Sequence, residues 1–244
     1  MRAVTAIAGR ELRAYFLSPG GYVIGALYVL VNGWLFVRYV FNSGDPATLR
    51  PVFSFSMLAF MLICPAITMR VISEELRLGT IEMLLTAPVR SADIIVGKYL
   101  AALGFLVVLL SPTLVFVGAL EMYGRPDYGE MLCGYLGVLL AGSVYLASGI
   151  LASTLTSSQV VAYLTTVFFW IIMLLATKGL LQTDLLPMAW QARVDDLVIA
   201  TDPELKLRDF AIGLFDSANF VYFGSLTVVL LIASARSLEA RRWL

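Results

Sequence analysis

Six stretches of almost unbroken apolar sequence, at residues 20–41, 52–72, 99–120, 131–155, 160–181 and 218–235, limit this chain more than any other feature. A helix rising 1.5 Å per residue needs about 20 residues to cross a hydrocarbon layer roughly 30 Å thick, and these runs meet that length. Inside such a layer no water satisfies a backbone N–H or C=O, so a spanning segment closes its hydrogen bonds within a helix or around a closed barrel. Runs that are apolar at successive rather than alternate positions choose the helix. The expected fold is an all-α membrane protein of six transmembrane helices, a single domain over 1–244.

Composition agrees, because charged residues make up 14% of the chain against roughly 25% in a soluble domain. Lys plus Arg equals Asp plus Glu at 17 each, so no bulk charge speaks for nucleic acid or an acidic partner. The sequence has no His, which removes His-assisted nucleophiles, His metal ligands and His proton relays. Cys64 and Cys133 both lie inside apolar runs and read as small buried hydrophobes. The first run is too long for the core of a signal peptide and precedes no small-residue cleavage site, so it is expected to stay as the first span.

Basic residues set the orientation, since Lys and Arg near span ends are retained on the cytoplasmic side. Arg2, Arg10, Arg13, Arg70, Arg77, Arg90, Lys98, Arg236, Arg241 and Arg242 fall on one side. Arg50, Arg125, Lys178, Arg193, Lys206 and Arg208 fall on the other, four of them in one long loop, and Arg38 can snorkel from the outer end of the first span. Both termini are therefore expected in the cytoplasm.

Within the spans, Pro65 and Pro112 are expected to kink the second and third, leaving freed backbone groups for neighbouring helices to satisfy. The fourth span carries small residues four apart, Ser143 with Ala147 and Gly149 with Ser153, which let another helix approach closely, either inside one subunit or at a dimer seam. Asn32 is the clearest polar residue in mid-span and reads as an interhelical hydrogen bond or as part of a substrate path. No Asp or Glu falls mid-span, which disfavours an ion-coupled transporter with an acidic relay.

Three segments do not span. Residues 1–18 form a basic amphipathic helix, with Val4, Ile7, Ala8, Leu12, Tyr15 and Phe16 at helical spacing, expected to lie along the inner membrane surface. Glu11 interrupts its apolar face. In the cytoplasmic loop at 73–92, Ser73 is the expected N-cap, Glu74 and Glu75 suit a first turn, and Arg77, Ile81, Leu84 and Leu85 share one face up to Pro88. Ser91 is the expected cap of the helix that continues into the third span, and exposed Ile81, Met83, Leu84 and Leu85 ask for a protein partner. The outer region at 178–217 is too long for a structureless loop. It reads as short interfacial or re-entrant helices, one of them starting at Asp202-Pro203 with Leu207, Phe210, Ala211 and Leu214 on one face and Lys206, Asp209, Gly213 and Asp216 on the other.

No phosphate-binding loop of the GxxxxGK[ST] type, no G-x-S-x-G, no HExxH and no Cys pair at metal spacing occurs, so neither ATP hydrolysis nor covalent chemistry is expected on this chain.

The stretch ISEELRLGTIEMLLTAPVRSADIIVGKYLAA at 72–102 resembles the cytoplasmic loop and third-span entry of ABC-2 type transporter permease subunits, closest to the gliding-motility type. LASGILASTLTSSQVVA at 146–162, the C-terminal NFVYFGSLTVVLLIASARSLEARRW and the opening GRELRAYFLSPGGYV are similar to that family too. The stretch 183–204 departs from the pattern. The resemblance implies a permease subunit of an ATP-driven exporter in a bacterial plasma membrane, paired with a second permease, the same chain or a homologue. Two copies of an ABC ATPase subunit would carry ATP and Mg, with no cofactor on this chain, and an auxiliary periplasmic protein is a further partner. It also makes the loop between spans two and three the coupling helix, with Glu74, Glu75, Arg77, Gly79, Thr80, Ile81 and Glu82 as the ATPase contact. The alternative is a membrane anchor that transmits ATPase movement to a periplasmic or motility complex. A membrane enzyme is disfavoured because no acid, base or metal constellation faces either interface.

Overall fold

The computed structural model describes residues 2–40, 48–81, 89–124, 126–181 and 202–241. In chain order these form α1 (Arg2–Leu17), α2 (Pro19–Leu35) running into a π-helical turn (Phe36–Val40), α3 (Arg50–Thr68), α4 (Ser73–Leu78) and α5 (Ser91–Leu110). A 3₁₀ turn (Ser111–Thr113) then leads to α6 (Leu114–Tyr123), followed by α7 (Tyr128–Leu155), α8 (Gln159–Leu181), α9 (Pro203–Ala211) and α10 (Ser217–Ala240). Among the described residues, six helical stretches are long and apolar enough to cross a membrane: Pro19–Val40, Arg50–Leu78, Ser91–Met122, Tyr128–Leu155, Gln159–Lys178 and Ser217–Ala240. The protein is a multi-pass, all-helical membrane protein.

The bundle is built around α7, whose spanning window is 78% buried against 22% for the windows of α2 and α10. Its small residues face helices of the same chain. Ser143 bonds Thr227 of α10 across 3.1 Å, Ala147 is enclosed in the core, and a Cβ at Gly149 would sit 2.0 Å from Thr68 Oγ1 of α3. Removing that one carbon is what lets α3 and α7 approach so closely.

Asn32 is fully buried and joins α2 to α3. Its Nδ2 donates to the Tyr28 carbonyl at 2.9 Å, and the Ser56 hydroxyl lies 3.3 Å from its Oδ1 and 2.8 Å from Tyr28 OH.

The two prolines act differently from one another. Pro65 sits inside α3 without ending it, whereas Pro112 falls in the 3₁₀ turn that divides the third span. Proline at 112 offers no N–H to the carbonyl of Val108, and the Ser111 hydroxyl donates to that carbonyl at 2.8 Å. The freed carbonyl of the third span is thus satisfied by Ser111, through its hydroxyl and its backbone N–H, rather than by the neighbouring helices that the sequence led us to expect.

The ends of the bundle are distinct. Arg241, after α10, donates to the carbonyls of Thr154 and Leu155 at 3.1 and 3.0 Å, and α1 packs along α5. With α4 following the end of α3, these elements form the first end. The opposite end carries α9. Asp202 caps α9 as expected, accepting from the Glu204 N–H at 2.8 Å, and Leu207, Phe210 and Ala211 are buried. Leu214 is not on that face: α9 stops at Ala211 and Leu214 is 55% exposed. The opposite face is docked as well, since Asn219 of α10 donates to Asp209 at 2.9 Å. The rest of the outer segment, including Arg193 and residues 183–201, lies outside the described residues.

Candidate coupling site

At the first end, three pieces of chain converge on one side chain. Lys98 lies about two turns into α5, and its side chain is 1% exposed. Its ammonium stands 2.7 Å from the Val71 carbonyl in the turn after α3, 2.8 Å from Glu75 Oε1 on α4 and 3.2 Å from Glu11 Oε1 on α1. An ammonium has three donors, and all three are used. A buried cation is tolerated only when paired and hydrogen-bonded, so Lys98 holds α1, α4 and the third span in a single geometry.

This accounts for the acidic interruption of α1. Glu11 faces the helix that α1 lies against, and Arg10 approaches the same pair of carboxylates, 2.9 Å from Glu11 and 3.9 Å from Glu75. One Glu75 oxygen, Oε2, is buried without a hydrogen-bond partner. A pocket of about 280 Å³ opens beside it, lined among others by Tyr15, Arg70, Glu74 and Lys98. Arg70 lies over the Tyr15 ring at 6.0 Å. Burial pushes the Tyr15 phenol above its ordinary range, Glu11 adds to this, and Arg70 counteracts it.

The start of α4 is closed from across the bundle. Ser73 was the expected N-cap, but Ile72 occupies that position and the Ser73 hydroxyl turns back to the Met69 carbonyl. The capping oxygen is that of Ser153 on α7, which accepts the N–H groups of Ile72 and Ser73 at 3.0 and 2.9 Å. Ser91 is likewise the first residue of α5 rather than its cap, which is Arg90. α4 ends at Leu78, and Gly79 follows with φ 71°, a left-handed conformation that glycine adopts without a Cβ clash.

The seven residues expected to meet a partner therefore divide. Arg77, Gly79 and Thr80 are exposed, joined by Leu78 at 63%. Glu74 is half-buried on the pocket rim. Glu75 is turned inward to Lys98. Ile81 is not exposed as expected but 6% exposed and part of the core. Glu82, Met83, Leu84, Leu85 and Pro88 lie outside the described residues. The structure adds Lys98, Glu11, Val71 and Ser153 to this site. The available signal was a lysine at the edge of an apolar run and a glutamate inside an apolar helix face, two charges that each need a counterpart.

A family model described as ABC-2 family transporter protein matches residues 36–191, more than half of the chain. That match includes α4, Lys98 and Ser153. No curated protein matches the chain.

Proposed function

The chain belongs to the ABC-2 transporter family, whose permeases work with an ABC ATPase, and from that premise we propose that it is the permease subunit of an ATP-driven exporter. In this reading ATP is hydrolysed on a separate ATPase subunit, present in two copies beneath a pair of permeases. The membrane is the bacterial plasma membrane, with the first end in the cytoplasm. The basic residues Arg10, Arg13, Arg70, Arg77, Arg90 and Arg241 gathered there support that orientation.

The observation that carries the reading is the Lys98 junction. The exposed tip at Arg77, Leu78 and Thr80 meets the ATPase, and the inner side of the same short helix is tied through Glu75 to Lys98. A push on α4 displaces Glu75 and the Val71 carbonyl together. Lys98 must follow, because a buried charge that loses its partner costs about 3–5 kcal/mol. Movement at the tip thus reaches the third span and, through Glu11, the amphipathic helix α1.

The test is to reverse the charge at the tip. Arg77→Glu should weaken assembly with the ATPase subunit by about 1–3 kcal/mol or uncouple its turnover, with all six spans still inserted. An Arg77→Glu, Leu78→Ser, Thr80→Lys chain that assembles and couples like the native one would show α4 to be a tether and overturn the proposal.

A further inference from the structure

A cavity of about 600 Å³ opens at the end opposite α4, between α3, α8 and α9. Its rim and its depth differ chemically. At the rim stand Arg50 in the first turn of α3, Lys178 towards the end of α8 and Arg208 in the last turn of α9. Below them the walls are Met57 and Met61 of α3 and Leu174 of α8. Arg50 and Met61 are eleven residues apart on one helix, so the apolar wall runs roughly 16 Å inward from the charged rim at 1.5 Å per residue.

Among the described residues the rim has more positive than negative charge. Arg50 engages both oxygens of Glu130, at 3.1 and 2.8 Å, and Lys178 pairs with Glu204 at 2.9 Å. Arg208 is exposed and has no carboxylate within salt-bridge distance among the described residues. Among the described residues, three cations against two carboxylates leave one positive charge in excess (3 − 2 = 1). Arg50 and Lys178 are 49% and 52% exposed. The Lys178–Glu204 pair, whose carboxylate is 51% exposed as well, holds by only about 0–1 kcal/mol, so an incoming anion can share Lys178 at small cost, whereas Arg50 is held by both oxygens of Glu130, itself 12% exposed. A volume of this size suits one small ligand, since such sites run about 300–1,000 Å³ with apolar walls and a few orienting polar groups.

We propose that this cavity binds an acidic amphiphile, a molecule with a carboxylate or phosphate head at Arg208 and a hydrocarbon chain against Met57, Met61 and Leu174. The amphiphile is either a lipid of the bilayer or the exported cargo. Only the second identity rests on the exporter reading above.

The test uses the purified full chain in phosphatidylcholine nanodiscs, irradiated with diazirine-bearing palmitic acid, the matching phosphatidic acid, or diazirine-bearing hexadecanol as the neutral control. The acids should label α3 and α8 peptides at least fivefold more than the alcohol. Arg208→Gln should bring acid labelling down to the alcohol's level, and Arg208→Lys should retain most of it. Arg236→Gln, at the other end of the bundle, should leave labelling unchanged. Equal labelling by acids and alcohol, or acid labelling indifferent to Arg208→Gln, overturns the proposal. In the complex with its ATPase, acid-stimulated ATP turnover that Arg208→Gln abolishes marks the amphiphile as cargo. Labelling without that response marks it as a resident lipid. If the coupling reading fails at Arg77, the labelling result stands or falls on its own.

Discussion

The Glu75 carboxylate lies 2.8 Å from the ammonium of Lys98, and this contact joins the six-residue helix α4 to the interior of a membrane span. Of the junction's ionic members, Lys98 is the enclosed one, at 1% exposure against 19% and 21% for Glu11 and Glu75. Depriving the ammonium of both carboxylates should therefore cost more than removing the ammonium. The Glu11→Gln, Glu75→Gln double variant is expected to lose about 3–5 kcal/mol, and Lys98→Met less, because the two abandoned carboxylates are less enclosed than the ammonium and keep Arg10 beside them. Thermal unfolding in nanodiscs reads the order, and the reverse order would refute this assignment of burial.

Gly79 is expected to resist substitution for a reason that the sequence did not reveal. Its φ of 71° makes Gly79→Ala unfavourable by about 1–3 kcal/mol. Gly79→Pro should be worse, since proline holds φ near −65°. Hydrogen exchange of the amides at 74–78 should rise in both variants, and more in the proline one. Unchanged exchange would mean that α4 ends independently of Gly79.

Ser153→Ala leaves the Ile72 and Ser73 N–H groups without their acceptor. A buried donor stranded in this way costs about 1–3 kcal/mol. The expected result is a lower unfolding midpoint together with faster exchange at those two amides. A drop in midpoint with both amides still protected would place the loss elsewhere in α7.

Gly149→Ala puts a carbon 2.0 Å from Thr68 Oγ1, an overpacking expected to cost about 1–3 kcal/mol. Thr68→Ala removes that oxygen, although the Thr68 Cβ stays at 3.2 Å. The double variant should accordingly recover part of the loss, and a strictly additive cycle would show that the two residues do not meet.

Cysteines at Arg77 and Glu204, both exposed and at opposite ends of the bundle, should react with an impermeant thiol reagent from opposite sides of the membrane, Glu204→Cys from outside the cell. Labelling of both from one side would overturn the six-span arrangement.

The spans were legible because length and hydropathy act locally: the expected run at 131–155 and the observed Tyr128–Leu155 differ by one turn. The Asp202-Pro203 start of α9 was legible for the same reason, a cap being a short-range signal. The helix ends at 78 and 211 were less so, because both chains of apolar residues continue past the point where a turn intervenes. Lys98 was read as a flanking basic residue, since a lysine near the start of a span ordinarily snorkels to the interface. Its carboxylate partners stand 87 and 23 positions away, and no periodicity brings residues at those separations together. The role of Ser153, 80 positions from the N–H it caps, was hidden in the same way.

The central place of α7 has a consequence for the order of synthesis. Its Ser143 hydroxyl meets Thr227 of α10, a residue translated 84 positions later. Until α10 emerges, one flank of the innermost helix has no protein neighbour, and the hydroxyl and glycine groups that suit it to a crowded interior gain nothing from lipid. That flank is thus closed by α10, and a chain stopped before α10 would hold its most protein-dependent helix open along one side.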